Sequence, residues 1–155
     1  MSGFLRPAWP TDAGKTGDIL WAFISDTDWM PCLYTAAETI SFCGQMIDRG
    51  WVTVAVLDDQ VQGFIARDGA EIHALYLAQS AKRRGLGRML LEDAKAQSKH
   101  LKLWTFQANT SAQQFYLREG FVEAARTDGA DNDEKLPDIH YIWPEKPEKP
   151  KKKAN

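Results

Sequence analysis

The chain has 155 residues, of which 44% are hydrophobic and 26% are charged, and its formal net charge is −2. This composition is typical of a soluble globular protein, and the length allows one core without metal or disulfide support. No apolar run approaches the roughly 20 residues of a membrane helix, and the N-terminus lacks a signal-peptide pattern. Two cysteines are too few for a secreted disulfide framework. We therefore expect a cytoplasmic protein with Cys32 and Cys43 buried as small apolar groups.

The last twelve residues, PEKPEKPKKKAN, carry five lysines and two glutamates, a local charge of +3 that leaves −5 for residues 1–143. Nothing in this segment could anchor it to a core. We expect one folded domain over residues 1–143 and a disordered basic tail over residues 144–155. A basic tail can contact nucleic acid, but a short tail on an acidic body favours a solubilising end. We expect neither a nucleic-acid nor a membrane partner.

Hydrophobic periodicity predicts a mixed chain of strands and helices. The predicted strands cover residues 4–6, 51–57, 61–67, 71–77, 101–107, 121–126 and 138–143. The predicted helices cover residues 11–25 and 36–49, a stretch beginning near Leu86, and a stretch that Asn109 or Ser111 could cap and that ends at Gly120. This order predicts an α+β fold with a mostly antiparallel sheet of about seven strands, four helices, and one crossover helix between the fourth and fifth strands.

A basic glycine loop follows the fourth strand and precedes a helix. Its residues are Lys82, Arg83, Arg84, Gly85, Leu86, Gly87 and Arg88. Glycines let the backbone approach a phosphate, and the free amides and dipole of a helix N-terminus attract an anion. The segment therefore predicts a site for a phosphorylated small molecule, with the amides of residues 83–88 pointing into the loop. The alternative is a simple turn that starts a helix, with solvated arginines beside it.

Two motifs in this order resemble the GNAT superfamily of N-acetyltransferases. The first, KRRGLG after the strand LYL, is similar to the family's [Q/R]-x-x-G-x-[G/A] pattern, although Lys82 keeps only the charge of the first position and lacks a planar donor. The second is NTSAQQFYLREGF, which places Asn109, Ala112, Tyr116, Gly120 and Phe121 at the family's spacing. The resemblance covers roughly residues 60–126. It implies a GNAT-like fold with acetyl-CoA as co-substrate and no metal.

The resemblance also implies roles for individual residues. The loop residues 82–88 would bind the pyrophosphate, and the backbone of Leu75, Tyr76 and Leu77 would pair with the pantetheine arm. One amide, that of Leu75 or Leu77, would stabilise the oxyanion that forms at the thioester.

Two residues of the second motif have a functional and a structural interpretation. Asn109 would contact the cofactor, cap a helix, or do both. Tyr116 would give a proton to the leaving thiolate, because a phenol is protonated at neutral pH. The alternative for Tyr116 is a core tyrosine that packs with Phe115.

Two residues of the fourth strand are candidates for the base that takes the proton of the amine. Ribosomal-protein acetyltransferases, which share RRGLGR, use a glutamate on the fifth strand, but the matching residue here is Trp104. Histone-type members use a glutamate fourteen residues before the first loop glycine, and that position is Glu71. His73 shares its strand face and an imidazole exchanges protons near neutral pH. Glu71 is the expected base, directly or through a water, with His73 as the second candidate. Either could instead be a residue of the cleft rim.

In this family the acceptor site is shaped by the loop between the first two helices and by the last two strands. Here those segments contain Trp29, Met30 and Tyr34, and the acidic stretch with Asp128, Asp131, Asp133 and Glu134. Aromatic rings beside carboxylates suit a cationic amine. The alternative is an ordinary solvated hairpin loop.

The expected function is direct transfer of an acetyl group from acetyl-CoA to a primary amine within a ternary complex. The acceptor could be a small molecule, a peptide N-terminus or a lysine side chain, and the family's habit of dimerising makes a homodimer an expectation. The alternative is a non-catalytic acyl-CoA sensor. Such a sensor needs the phosphate loop but no thiolate acid, so Asn109 and Tyr116 favour the enzyme.

Overall fold

A computed structural model describes residues 3–144, in which one seven-stranded sheet has the order β1-β2-β3-β4-β5-β7-β6. The strands are β1 Phe4–Pro7, β2 Val52–Leu57, β3 Gln60–Asp68, β4 Glu71–Leu77, β5 Leu101–Phe106, β6 Val122–Thr127 and β7 Asp138–Trp143. The helices are α1 Ala13–Asp26, α2 Ala36–Asp48, α3 Leu86–Gln97 and α4 Thr110–Arg118. Every neighbouring pair is antiparallel except β4 and β5, which α3 connects as a crossover. The predicted α+β fold is confirmed.

Part of the expected organisation cannot be compared with the structure. Residues 145–155, nearly all of the predicted basic tail, lie outside the described residues. Over residues 3–144, no helix is long and apolar enough to cross a membrane.

Two hydrophobic cores lie on opposite faces of the sheet. On one face, α1 and α2 cover β2, β3 and β4, with Cys43, Val54 and Phe64 almost fully buried. On the other face, α3 and α4 cover the middle of the sheet, with Leu90 and Ile139 fully buried. Each helix therefore buries the apolar stripe that its 3.6-residue period creates.

Local signals in the sequence set several element boundaries. Thr35 caps α2 and forms a reciprocal capping box with Glu38. Gly50 follows the C-terminus of α2 with a φ of 77°. A helix often ends with a residue in this left-handed conformation, and glycine adopts it without steric cost. A prediction about the cysteines was half wrong: Cys43 is buried, but Cys32 is exposed in the α1–α2 loop. Cys32 lies outside both helices, so no apolar stripe carries it into a core.

Strand β4 has two irregularities, a β-bulge on its β3 side and a loss of pairing on its β5 side. The β3–β4 register passes from Ala66↔Ala74 to Arg67↔Ile72, so His73 is the extra residue of a β-bulge. Strands β4 and β5 pair at Glu71↔Lys102, where the Lys102 amide also donates to the carbonyl of Ala70 at 2.9 Å. Beyond that point the two parallel strands have no registered pair. They diverge, and the sheet is split.

Candidate active site

The split between β4 and β5 opens into a cleft that brings together residues distant in the sequence. Five of the predicted site residues line it: His73, Leu75 and Tyr76 from β4, and Asn109 and Tyr116 from the start and middle of α4. Trp104 of β5 lines the opposite wall. Glu71 lies at the closed end, where the strands still pair, and is not among the lining residues. Leu77 is the last residue of β4, at the other end of the strand, and the glycine loop lies beyond it; neither is among the lining residues.

The β4 backbone presents hydrogen-bond donors to the cleft. The amide of Ala78 donates to the carbonyl of Gln62 on the β3 side at 2.7 Å. Successive amides of a strand point to opposite edges. Those of Leu77 and Leu75 therefore point towards the split, where β5 has moved away. These are the two amides that the sequence nominated for the thioester carbonyl.

Tyr116 reaches the cleft from the helical side. Its ring is buried among Phe115, Phe121 and Tyr141, with centroids 5.2, 5.4 and 6.2 Å away. Burial raises the pKa of Tyr116 above its ordinary value, with a smaller contribution from Tyr76. Its hydroxyl makes no hydrogen bond to any of residues 3–144, and it is not sealed from the cleft. The structure therefore holds a protonated phenol whose hydroxyl is free to meet a ligand.

Asn109 has the capping role that the sequence predicted. Its Oδ1 accepts from the amide of Ala112 at 3.1 Å, which fixes the first turn of α4. The backbone amide of Asn109 donates to the carbonyl of Phe106 at 3.0 Å, so the chain turns directly from β5 into α4. The cap orients the helix that carries Tyr116, while Asn109 itself lines the cleft.

The glycine loop adopts the conformation that an anion site requires. Arg83 and Gly85 both have positive φ, 68° and 80°, and the amides of residues 83–88 donate to no backbone carbonyl within residues 3–144. The side chains of Lys82, Arg83 and Arg84 are exposed, whereas that of Leu86 is buried in the core. The loop therefore presents free amides and exposed cationic side chains around the N-terminus of α3.

Two loop residues have contacts that limit their roles. A Cβ at Gly87 would lie 3.4 Å from Phe115 and 3.5 Å from Leu77, which is ordinary van der Waals contact, so the loop packs against β4 and α4 here without a steric need for glycine. Arg88 is directed to Glu119, with Nε and Oε1 3.7 Å apart, although its side chain remains largely exposed. Its cationic head has a protein partner that a phosphate would have to share.

The two candidate bases occupy different environments. His73, in the bulge, is exposed, lines the cleft and stacks on Trp51, with ring centroids 4.8 Å apart and planes at 14°. Oε2 of Glu71 is buried and has no hydrogen-bond partner among residues 3–144. The carboxylate is therefore next to the closed end of the split, and the imidazole is at its wall.

The two loops predicted to shape the acceptor site meet in space. Tyr34 of the α1–α2 loop donates from its hydroxyl to Oδ2 of Asp133 in the β6–β7 loop at 3.3 Å. Trp29 lies edge-on to Phe106 at the end of β5, with centroids 5.9 Å apart. Burial, followed by the charge of Glu134, raises the pKa of Tyr76 to about 12. The α1–α2 loop therefore contacts the end of β5 and the β6–β7 loop, although neither Trp29 nor Tyr34 is among the residues that line the cleft.

A buried carboxylate that sequence reasoning missed holds the β6–β7 loop. Asp138 is 9% exposed; its Oδ1 accepts from the hydroxyl of Thr127 and its Oδ2 from the side-chain amide of Asn132 at 3.2 Å. Asn132 also bonds the backbone of Leu136 in both directions. An aspartate at the first position of a strand after a polar loop was the available signal. Sequence reasoning also missed Trp104 as a cleft residue, because it considered this position only for the glutamate that related enzymes have there.

Comparison with known proteins agrees with this geometry. Residues 48–123 match the family model described as an acetyltransferase (GNAT) domain. The chain is 31% identical over 94 residues to the peptidyl-lysine N-acetyltransferase YjaB of Salmonella typhimurium, covering 61% of this chain and 64% of that protein. It is 29% identical over 125 residues to the peptidyl-lysine N-acetyltransferase YiaC of Escherichia coli, covering 79% of each. The match to YjaB thus spans less than two thirds of that relative.

Among solved structures, YncA of Salmonella typhimurium, a putative acetyltransferase with its cofactor acetyl-CoA, superposes with a TM-score of 0.72 at 15% identity. The superposition covers 97% of this chain and 98% of that one. At this identity the similarity concerns the fold. The sequence matches, the family model and the split sheet together lead to one conclusion: the chain carries an acetyltransferase (GNAT) domain, which the family model matches over residues 48–123.

Proposed function

We propose that the protein transfers the acetyl group of acetyl-CoA directly to a primary amine, with both substrates bound in the β4–β5 split. The observation that carries this proposal is the position of Tyr116, whose free hydroxyl opens into the cleft that the unpaired β4 edge borders. Acetyl-CoA fits the residues present. Free amides surround the N-terminus of α3 for its phosphates, and the open edge of β4 can pair with its extended arm.

Each step can be assigned to residues of this chain. One amide of β4, that of Leu75 or Leu77, donates a hydrogen bond to the thioester oxygen as the amine nitrogen attacks the carbonyl carbon. In other enzymes, removing one such donor lowers kcat about 10²–10³-fold. The carbon–sulfur bond then breaks. Tyr116 donates its proton to the sulfur, and the base accepts the proton that the nitrogen loses. The products are an amide and the free thiol.

For the base, the geometry favours His73 over Glu71. His73 lines the cleft beside the β4 amides, whereas Glu71 lies where the strands close. We propose that His73 accepts the proton; the alternative is Glu71 acting through an intervening water. His73→Asn should lower kcat at least 10-fold with acetyl-CoA affinity kept, and Glu71→Gln should change kcat less. The reverse order of the two effects would reassign the base to Glu71.

A lysine side chain is the proposed acceptor. Two of the relatives are named as peptidyl-lysine N-acetyltransferases, while a third, from Pseudomonas phage PaMx11, is named as a 5-NmdU N-acetyltransferase. In this chain Trp29 and Tyr34 belong to the α1–α2 loop, which contacts the end of β5 and the acidic β6–β7 loop, a setting that suits a cationic amine. The test is release of free thiol from acetyl-CoA with a panel of amines: lysine peptides, peptides with a free N-terminus only, and small amines. Binding of acetyl-CoA without turnover on any member would favour the sensor alternative.

A further inference from the structure

Four half-buried aromatic rings bridge the two strands of the split. Phe23 of α1 lies 5.1 Å from Tyr76 of β4 and 6.2 Å from Trp29, and Trp29 lies 5.9 Å from Phe106 of β5, all between ring centroids. The chain of contacts therefore runs from β4 to β5 through the α1–α2 loop. We name this group, Phe23, Trp29, Tyr76 and Phe106, the aromatic arch.

The aromatic arch lies on the sheet face opposite Tyr116. Tyr76 packs against the core beneath α1 and α2, whereas Tyr116 belongs to the core beneath α3 and α4. On β5, Leu101 and Leu103 face the α3–α4 core, so the alternation of the strand turns Phe106 to the other face. The aromatic arch therefore lies beside the split on the α1–α2 face.

The remaining opening on that face has flat side walls. The Glu71↔Lys102 pair closes it at one end, and towards the other end Tyr76, the one arch residue that lines the cleft, contacts the rest of the aromatic arch through Phe23. Between them, His73 and Trp104 line the cleft. His73 is backed by Trp51, and Trp104, which is 47% exposed, is backed by His140 with centroids 4.5 Å apart. We name the gap between His73 and Trp104 the acceptor window.

We propose that the aromatic arch and the acceptor window form a size filter that admits a primary amine only at the end of an unbranched alkyl chain, such as a lysine side chain. Trp29 and Trp104 are its specificity-determining residues. This inference rests on the proposed function. Stacked rings present flat faces to methylene groups, and a branch beside the amine would have to displace Trp29 or Trp104. One extra methyl in a fitted apolar pocket typically changes kcat/KM 10- to 200-fold.

The test compares two acceptors that differ by one methyl group. One peptide carries lysine, and the other carries a lysine analogue with a methyl group on the carbon that bears the amine. The rate is measured as thiol release from saturating acetyl-CoA. The wild type should prefer the unbranched peptide at least 10-fold. Trp29→Ala should reduce that preference to about threefold or less, mainly by accepting the branched peptide.

Three further variants separate the filter from general damage. Phe106→Leu opens the aromatic arch from the β5 side and should reduce the preference in the same direction. Trp104→Ala removes a wall and should lower kcat/KM for the unbranched peptide about 10-fold with acetyl-CoA affinity kept. Trp9→Ala is the matched control, because Trp9 is exposed and stacks on Arg6 away from the cleft. It should leave the preference unchanged.

Several outcomes would overturn the inference. The first is that Trp29→Ala and Phe106→Leu proteins still bind acetyl-CoA and keep the wild-type preference for the unbranched peptide. The second is that Trp9→Ala changes this preference as much as Trp29→Ala does. The third is that the wild type acetylates both peptides at equal rates. These results leave the proposed acetyl transfer intact. A wild type that binds acetyl-CoA but acetylates no amine in the panel would instead refute the proposed function, and the filter with it.

Discussion

Replacing Tyr116 by phenylalanine removes one hydroxyl from the cleft and keeps the buried ring. The contacts with Phe115, Phe121 and Tyr141 are made by the ring and remain. The lost hydroxyl has no hydrogen bond to any of residues 3–144. We therefore expect the free energy of unfolding to change by less than about 1 kcal/mol, since no intramolecular hydrogen bond is broken.

The effect on turnover should be much larger. General acid catalysis contributes about 10²–10⁴-fold. We expect the lower end, about 10²-fold, because a thiol of pKa about 8.5 is already a fair leaving group. That corresponds to about 2.7 kcal/mol of transition-state stabilisation. Because burial raises the pKa of Tyr116, the phenol stays protonated through the neutral range and its ionisation should not limit the rate there.

The assay is thiol release at saturating acetyl-CoA and lysine peptide, together with calorimetric binding of acetyl-CoA. Tyr141→Phe is the matched control, because Tyr141 is a buried neighbour of Tyr116 that does not line the cleft. Only Tyr116→Phe should lose kcat, and both variants should bind acetyl-CoA with wild-type affinity. A kcat of Tyr116→Phe within twofold of wild type would refute the role of this residue as the acid.

Three further substitutions test the parts that support the site. Gly85→Ala should cost about 1–2 kcal/mol of stability, because Gly85 has a φ of 80°, and should weaken acetyl-CoA binding measured by calorimetry. Arg6 holds the pKa of Asp12 below its usual value. Asp12→Asn should therefore lose on the order of 2 kcal/mol in urea unfolding at pH 7, and this difference should shrink as the pH falls below about 4. Asp138→Asn replaces a carboxylate oxygen that accepts a hydrogen bond from Asn132 and so loosens the β6–β7 loop. It should raise the KM for the amine substrate severalfold and leave acetyl-CoA affinity unchanged.

The sequence predicted the elements well because each has a local signal. Alternation in β4 and the helical period of α3 are intrinsic to short segments. The sequence also offered Asn109 as one of two candidate caps of α4, with Ser111 as the other, and the structure has Asn109 as the cap. The glycine loop also has a local signal, since the left-handed conformation of Gly85 depends on the residue type at that position.

The walls of the cleft could not be predicted in the same way, because they depend on long-range pairing. The split arises where β4 and β5 stop pairing after Glu71↔Lys102, and no local pattern marks that point. The bulge at His73 depends on its register with β3. Tyr34 and Asp133 are 99 residues apart in the chain and meet only when the sheet is complete.

The most direct test of the account is an initial-velocity study with a lysine peptide, in which both peptide and acetyl-CoA concentrations are varied and the peptide product is identified by mass spectrometry. The account predicts an acetylated lysine, one free thiol per acetyl group transferred, and intersecting double-reciprocal lines, with no acetyl group on the protein when the peptide is omitted. Parallel lines with an acetylated protein, or acetyl-CoA binding without any acetylated amine, would contradict it.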